Sequence, residues 1–130
     1  AWSHARFSEN SVDGNYIPGA VMATANLGVT IDNLGPWFGS VRLRYFGRRP
    51  LIEDNSVRSS SSSLTNMRLG YKLDKQTRVW VDVYNLFDRE VNDIEYWYDS
   101  QLPNEIAPVF DRHIHPSEPR TFRLTLSHRF

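Results

Sequence analysis

A chain of 130 residues, 40% apolar and 23% charged, has the make-up of a folded protein rather than of a disordered segment. Fifteen lysines and arginines balance fifteen aspartates and glutamates, so no global field exists to hold nucleic acid or an anionic membrane surface. The absence of cysteine excludes a disulfide scaffold and a thiolate zinc site, and no apolar run approaches a membrane helix's length of about 18 residues, although a membrane β-strand needs only about 9–11 alternating ones.

Helical periodicity is almost absent, whereas a two-residue alternation fits six stretches and predicts an all-β chain. The first predicted strand, 2–9, leads into "NSVDGNYIPG", whose Asn, Asp, Gly and Pro favour a turn or short loop. The chain starts at "AWSHARF", already in strand pattern and without an initiator methionine, and is read as a piece of a longer protein. The second strand, 20–32, sets Ala25, Leu27, Val29 and Ile31 against Asn26, Gly28 and Thr30, and "DNLGPW" turns it back. The third, 37–47, sets Val41, Leu43 and Tyr45 against Ser40, Arg42 and Arg44.

"RRPLIEDNSVRSSSSS" follows, with five consecutive serines, and reads as a mobile polar loop. The fourth strand, 64–73, alternates Met67, Leu69, Tyr71 and Leu73 with Asn66, Arg68, Gly70 and Lys72; "DKQT" then makes a hairpin turn into the fifth, 78–88, with Val79, Val81 and Val83 on one side. From 89 to 119 the pattern fails, and a loop of that length has a task or is disordered. The last strand, 120–130, puts Phe122, Leu124, Leu126, His128 and Phe130 on one face and Thr121, Arg123, Thr125, Ser127 and Arg129 on the other.

Long connections thus alternate with short ones, which in a membrane β-barrel separates long extracellular loops from tight periplasmic turns. Aromatic residues gather near strand ends, as an interfacial girdle requires. The prediction is an antiparallel up-and-down meander of about six strands, oily toward lipid and wet toward a lumen lined by Arg42, Arg44, Arg68 and Arg123. A soluble two-sheet sandwich, acting as a binding module, would also alternate and is the competing reading.

"VDVYNLFDRE", then a long loop, then the terminal "EPRTFRLTLSHRF" resembles the C-terminus of a TonB-dependent outer-membrane receptor, and "NYIPGA" and "WFGSVRLRYFGRRPL" resemble the preceding strands of that family. The resemblance covers essentially the whole chain. It implies the C-terminal part of a barrel of about 22 strands, filled by an N-terminal plug domain that this chain lacks. It implies location in the outer membrane of a Gram-negative bacterium, uptake of a siderophore or similar scarce nutrient, and energy delivered by the TonB complex through the plug. The last strand resembles the signal read by the outer-membrane assembly machinery, which implies that role for Phe122, Leu124, Leu126 and above all Phe130; His128 stands where that signal usually has an aromatic residue.

In the 89–119 loop, Tyr96, Trp97 and Tyr98 could stack on a ligand while Arg112, His113 and His115 meet anionic or iron-chelating groups; the plainer reading is an interfacial aromatic cluster with solvated charge. Asp111, His113, His115 and Glu118 have the composition of a metal set, but solvated side chains are the expectation, and neither a metal nor a cofactor is assigned. No nucleophile has a base beside it, and Glu53, Asp54, Asp93, Glu95 and Asp99 are all expected in loops, so enzyme activity is not expected. The two open sheet edges of such a fragment predict self-association when it is isolated.

Overall fold

The computed structural model describes residues 1–130, the side chains of Asn10 and Ser11 excepted. Among the described residues every regular element is a β-strand, and there are nine. The chain divides into two compact units: Ala1–Thr24, Phe46–Ser62 and Val91–Ser117 form the first, and Ala25–Tyr45, Ser63–Glu90 and Glu118–Phe130 the second.

The second unit is built on one five-stranded sheet. Its strands, β3 (Thr24–Leu34), β4 (Trp37–Phe46), β5 (Ser62–Lys72), β6 (Thr77–Tyr84) and β9 (Thr121–His128), lie in the order β3-β4-β5-β6-β9. The register assembles residues of one kind into rows. Met67, Val83 and Phe122 make one row, Leu69, Val81 and Leu124 the next, and Tyr71, Val79 and Leu126 a third. Between them lie Arg68, Asp82 and Arg123, then Gly70, Trp80 and Thr125, then Lys72, Arg78 and Ser127. Since side chains alternate across a strand, the first set covers one face of the sheet and the second set the other.

The oily face is largely uncovered, with Val83 buried within it. Leu27 and Leu126 are each 67% exposed and Leu124 is 74% exposed, while the buried apolar side chains are Leu51 and Val83. A soluble sandwich would cover this face with a second sheet, and the exposure favours a face turned to lipid over that competing reading. A one-residue slip of any strand would exchange the two faces, and with them every apolar and charged environment.

The tight turns have local causes. Gly35 adopts φ 62° beside Pro36, the left-handed conformation in which glycine has no Cβ penalty. Between β5 and β6, Asp74 Oδ1 accepts hydrogen bonds from the backbone N–H of Gln76 (2.6 Å) and of Thr77 (2.8 Å). The Gln76 bond, then the Thr77 contacts, hold the Asp74 carboxyl below the usual carboxylate range, with the charge of His128 helping. A group whose folded pKa is depressed stabilises the fold above its unfolded value and loses that contribution as pH falls through the folded one. Acid unfolding of the full-length barrel is therefore expected to weaken this turn below the ordinary carboxylate range, and Asp74→Asn should flatten that part of the stability-against-pH curve.

A second corner follows β6. Asn85 (φ 49°) and Asp88 (φ 52°) both take the left-handed conformation that Asn and Asp tolerate best among residues with a Cβ. Buried Asn85 donates through Nδ2 to the carbonyls of Arg89 (2.9 Å) and Glu118 (3.1 Å) and accepts from Arg89 N–H (2.9 Å), while Asp88 Oδ1 accepts from Arg120 N–H (2.9 Å). The "NLFD" and "EPR" segments are therefore one structure: the side chains of the first fasten the chain's return into β9.

In the first unit, β1 (Arg6–Ser11) and β2 (Gly14–Tyr16) form a hairpin, with the Arg6 guanidinium 3.4 Å from the centre of the Tyr16 ring. Trp2 bridges to Ala23 instead of extending β1, so the predicted first strand, 2–9, is divided and Gly14–Tyr16, expected as loop, is strand. The serine run is not a loose loop either. Ser59 is buried, its Oγ accepting from Arg49 N–H at 3.0 Å, and Ser62 and Ser63 begin β5. The stretch expected to lack pattern contains β7 (Asn92–Ser100) and β8 (Val109–Pro116), paired as an antiparallel hairpin.

Candidate functional site

The β7–β8 hairpin carries the six substrate candidates of the long connection, whereas Glu118 lies beyond β8. Its register sets Tyr96 opposite His113, Trp97 opposite Arg112 and Tyr98 opposite Asp111. Alternation then sorts them onto two faces. Tyr96, Tyr98, His113 and His115 share one face: the Tyr98 and His113 rings stack at 3.8 Å and 8°, and Tyr96 meets His115 edge-on at 6.5 Å. Both tyrosines remain about half exposed, so this face presents a partly open aromatic and imidazole surface.

Trp97 and Arg112 are on the opposite face, which corrects the expectation that Arg112 would act together with the histidines. Arg112 Nη1 lies 3.3 Å from Oε2 of Glu95, and its Nη2 donates to the Arg58 carbonyl at 3.1 Å. Glu95, only 3% exposed, accepts through Oε1 from Ser60 N–H and from Asn92 Nδ2, both at 3.1 Å. The Arg112–Glu95 pair thus anchors the hairpin to the 58–60 segment. Trp97 lines a cleft with Pro18 and Leu51.

Glu95 is a residue that sequence reading left among loop acids; Asp93, Glu95 and Asp99 are all in β7. The signal was present as the alternation of Ile94, Tyr96 and Tyr98 with Asp93, Glu95 and Asp99, interrupted only by Trp97. Among the described residues no group of three or more His, Cys, Asp or Glu side chains is placed to hold a metal ion. Asp111 Oδ1 accepts from the adjacent Arg112 N–H at 2.6 Å.

On the polar face of the five-stranded sheet, Arg68 and Asp82 form a two-pronged ion pair at 2.6 and 3.1 Å, and Trp80 Nε1 donates to the same carboxylate at 3.1 Å. Arg123 stands 5.3 Å from the centre of the Tyr84 ring and 3.4 Å from its hydroxyl. Arg42 joins Arg68, Asp82 and Tyr84 around a polar cleft that Ser40 and Asn66 complete. Arg44 has the same parity on β4 as Arg42. Three arginines around one aspartate leave this polar face positive, and Asp82, the residue that organises it, was hidden in the valine run of β6.

β9 has β6 as its neighbour in the sheet and lies at its edge. Phe122, Leu124, Leu126 and Phe130 all stand exposed, and the Phe130 ring meets His128 edge-on at 4.8 Å. His128 Nδ1 lies 3.0 Å from Thr77 Oγ1, which places the imidazole at the short-turn end beside β6.

A sheet with a largely uncovered hydrocarbon surface on one side and an ion-paired, hydrogen-bonded layer on the other is a segment of the wall of a membrane β-barrel. The chain belongs to the TonB dependent receptor-like, beta-barrel family, whose model matches residues 1–86, ending in the Asn85–Leu86 corner. That family belongs to the outer membrane of Gram-negative bacteria, and its function is transport. No curated protein and no solved structure matches the chain. No described helix is long and apolar enough to cross a membrane, a test that does not bear on strands.

Proposed function

We propose that this chain forms the C-terminal wall and an extracellular substrate hairpin of a TonB-energised outer-membrane transporter that imports a siderophore or a similar scarce nutrient. The observation that carries the reading is the aromatic and imidazole face of the hairpin, Tyr96, Tyr98, His113 and His115, set in the long connection of a barrel wall. Planar rings of this kind stack on aromatic or chelating groups, and the role is recognition without a catalytic step. The positive lumen surface of Arg42, Arg68 and Arg123 faces the plug domain of the whole receptor, through which TonB acts, and Phe122, Leu124, Leu126 and Phe130 present the strand read by the assembly machinery.

In the full-length receptor, replacing residues 92–116 by a short Gly-Ser turn is expected to leave the barrel assembled. Growth on a panel of ferric siderophores in iron-limited medium should fall at least tenfold for the substrate, the loss of roughly 1.4 kcal/mol or more of binding. Unchanged growth on every member of the panel that the native receptor supports would remove the hairpin from substrate selection.

A further inference from the structure

The oily face of the sheet has one dent. Gly39 is on the oily side of β4, between Trp37 and Val41, and lines an apolar groove of about 240 Å³. Val29 and Ile31 from β3, Val41 from β4, and Met67 and Leu69 from β5 wall it. No side chain can fill it from its floor: a Cβ on Gly39 would stand 2.5 Å from the Arg68 carbonyl oxygen and 3.6 Å from Leu69 Cα. The dent is therefore fixed by the backbone of β4 and β5.

We propose that this groove is a binding site for one acyl chain of a phospholipid in the periplasmic leaflet. The groove is continuous with the exposed hydrocarbon surface of the wall, so the chains that solvate that surface are the ones that reach it. Its position selects the leaflet. Leu34 and Trp37, which flank the two-residue Gly35–Pro36 turn, border the groove, and in barrels of this kind the short turns face the periplasm. At that depth the neighbouring hydrocarbon comes from phospholipid, not from the lipid of the outer leaflet.

A chain that moves from bilayer into groove gains no hydrophobic transfer energy, because lipid tails are as apolar as leucine. What it gains is dispersion contact with walls on both sides, where a smooth strand surface offers contact on one. The preference is accordingly a few-fold enrichment over the rest of the wall.

The inference rests on the outward face meeting lipid, and the register supplies a control for that premise. Leu69 and Leu124 share one row across β5, β6 and β9 and, two strands apart in a wall tilted by about 35–45°, lie within about 7 Å of one another in depth, but Leu69 borders the groove and Leu124 does not. The full-length receptor would be reconstituted in phosphatidylethanolamine vesicles containing a photoactivatable phosphatidylethanolamine with a diazirine on its acyl chain, irradiated, and its adducts mapped by mass spectrometry.

Labelling of Met67 and Leu69 is expected at about threefold or more that of Leu124, in line with a packing-driven preference. Val41→Phe, which fills the groove from its side, should bring the ratio to about one while Leu124 labelling stays as it was. Equal labelling of Leu69 and Leu124 in the unaltered receptor would overturn the site while leaving the lipid-facing wall intact. Labelling of Arg123 as strong as that of Leu124 would overturn the wall itself. Adducts or cross-links to a second copy of the receptor at Leu69, in place of lipid, would assign the groove to a protein contact and also overturn the proposal.

Discussion

Asn85→Ala in the full-length receptor is expected to destabilise the barrel by about 2–4 kcal/mol, read from the shift of its urea unfolding midpoint in vesicles. The side chain makes three hydrogen bonds in a buried corner, to the carbonyls of Arg89 and Glu118 and from the Arg89 N–H. Removing it deprives those part-buried groups of a partner, which costs up to about 1–3 kcal/mol. Alanine must also hold φ 49°. That conformation costs an L-residue about 1–2 kcal/mol, less where Asn or Gly occupies it.

The two contributions separate by substitution. Asn85→Gly relieves the backbone and keeps the hydrogen-bond loss, so it should be milder than Asn85→Ala by about 1 kcal/mol. Asn85→Asp keeps an acceptor for Arg89 N–H and sets a carboxylate against two carbonyls, so it should resemble alanine more than glycine. A midpoint for Asn85→Ala indistinguishable from the native one would show that the corner does not fasten the return into β9.

The five-stranded sheet was legible because one physical rule writes it. Wherever a strand separates lipid from water, every second residue must be apolar, and Leu27 to Ile31, Val41 to Tyr45, Met67 to Leu73, Val79 to Val83 and Phe122 to Leu126 all obey. The rule falls silent at the hairpin. β7 and β8 alternate by role instead of by polarity: Glu95 and Arg112 pair on one face, while Tyr96, Tyr98, His113 and His115 cover the other. Tyrosine and histidine are amphipathic, and a buried Glu95 paired with the exposed Arg112 reads as surface charge, so the hairpin resembles a polar loop. The serine run misled for a related reason, since Ser59 is held by the Arg49 N–H and not by apolar burial.

Of the candidate residues, the sequence supplied the identities and the register supplied the grouping. Arg68 and Arg123 were legible as lying on the polar side of their strands, but Asp82, which binds Arg68 at 2.6 Å and is flanked across β9 by Arg123, became visible only when β5, β6 and β9 were aligned. The same holds for Asn85 and Glu118, distant in sequence and joined by one hydrogen bond of 3.1 Å. Local patterns report the environment of a side chain. Partners across the sheet depend on register, which a single sequence constrains only through its turns.

Leu124→Arg is expected to cost the full-length barrel about 2–4 kcal/mol in vesicles, and Thr125→Arg, one residue along the same strand, less than about 1 kcal/mol. Leu124 is 74% exposed in the middle row of the oily face, beside Val81, so an arginine there must stand in hydrocarbon or bend the membrane to reach water. Thr125 pairs with Trp80 on the polar face, where an added guanidinium meets a hydrated lumen and an indole ring that can accept it. The contrast depends on the surroundings and not on strand propensity, because both substitutions place the same side chain on the same strand of the same sheet. In a protein surrounded by water on both faces the two variants would differ by no more than surface substitutions do, about 0.5 kcal/mol. Equal unfolding midpoints for Leu124→Arg and Thr125→Arg in lipid would therefore refute the division of the wall into a hydrocarbon face and a hydrated one.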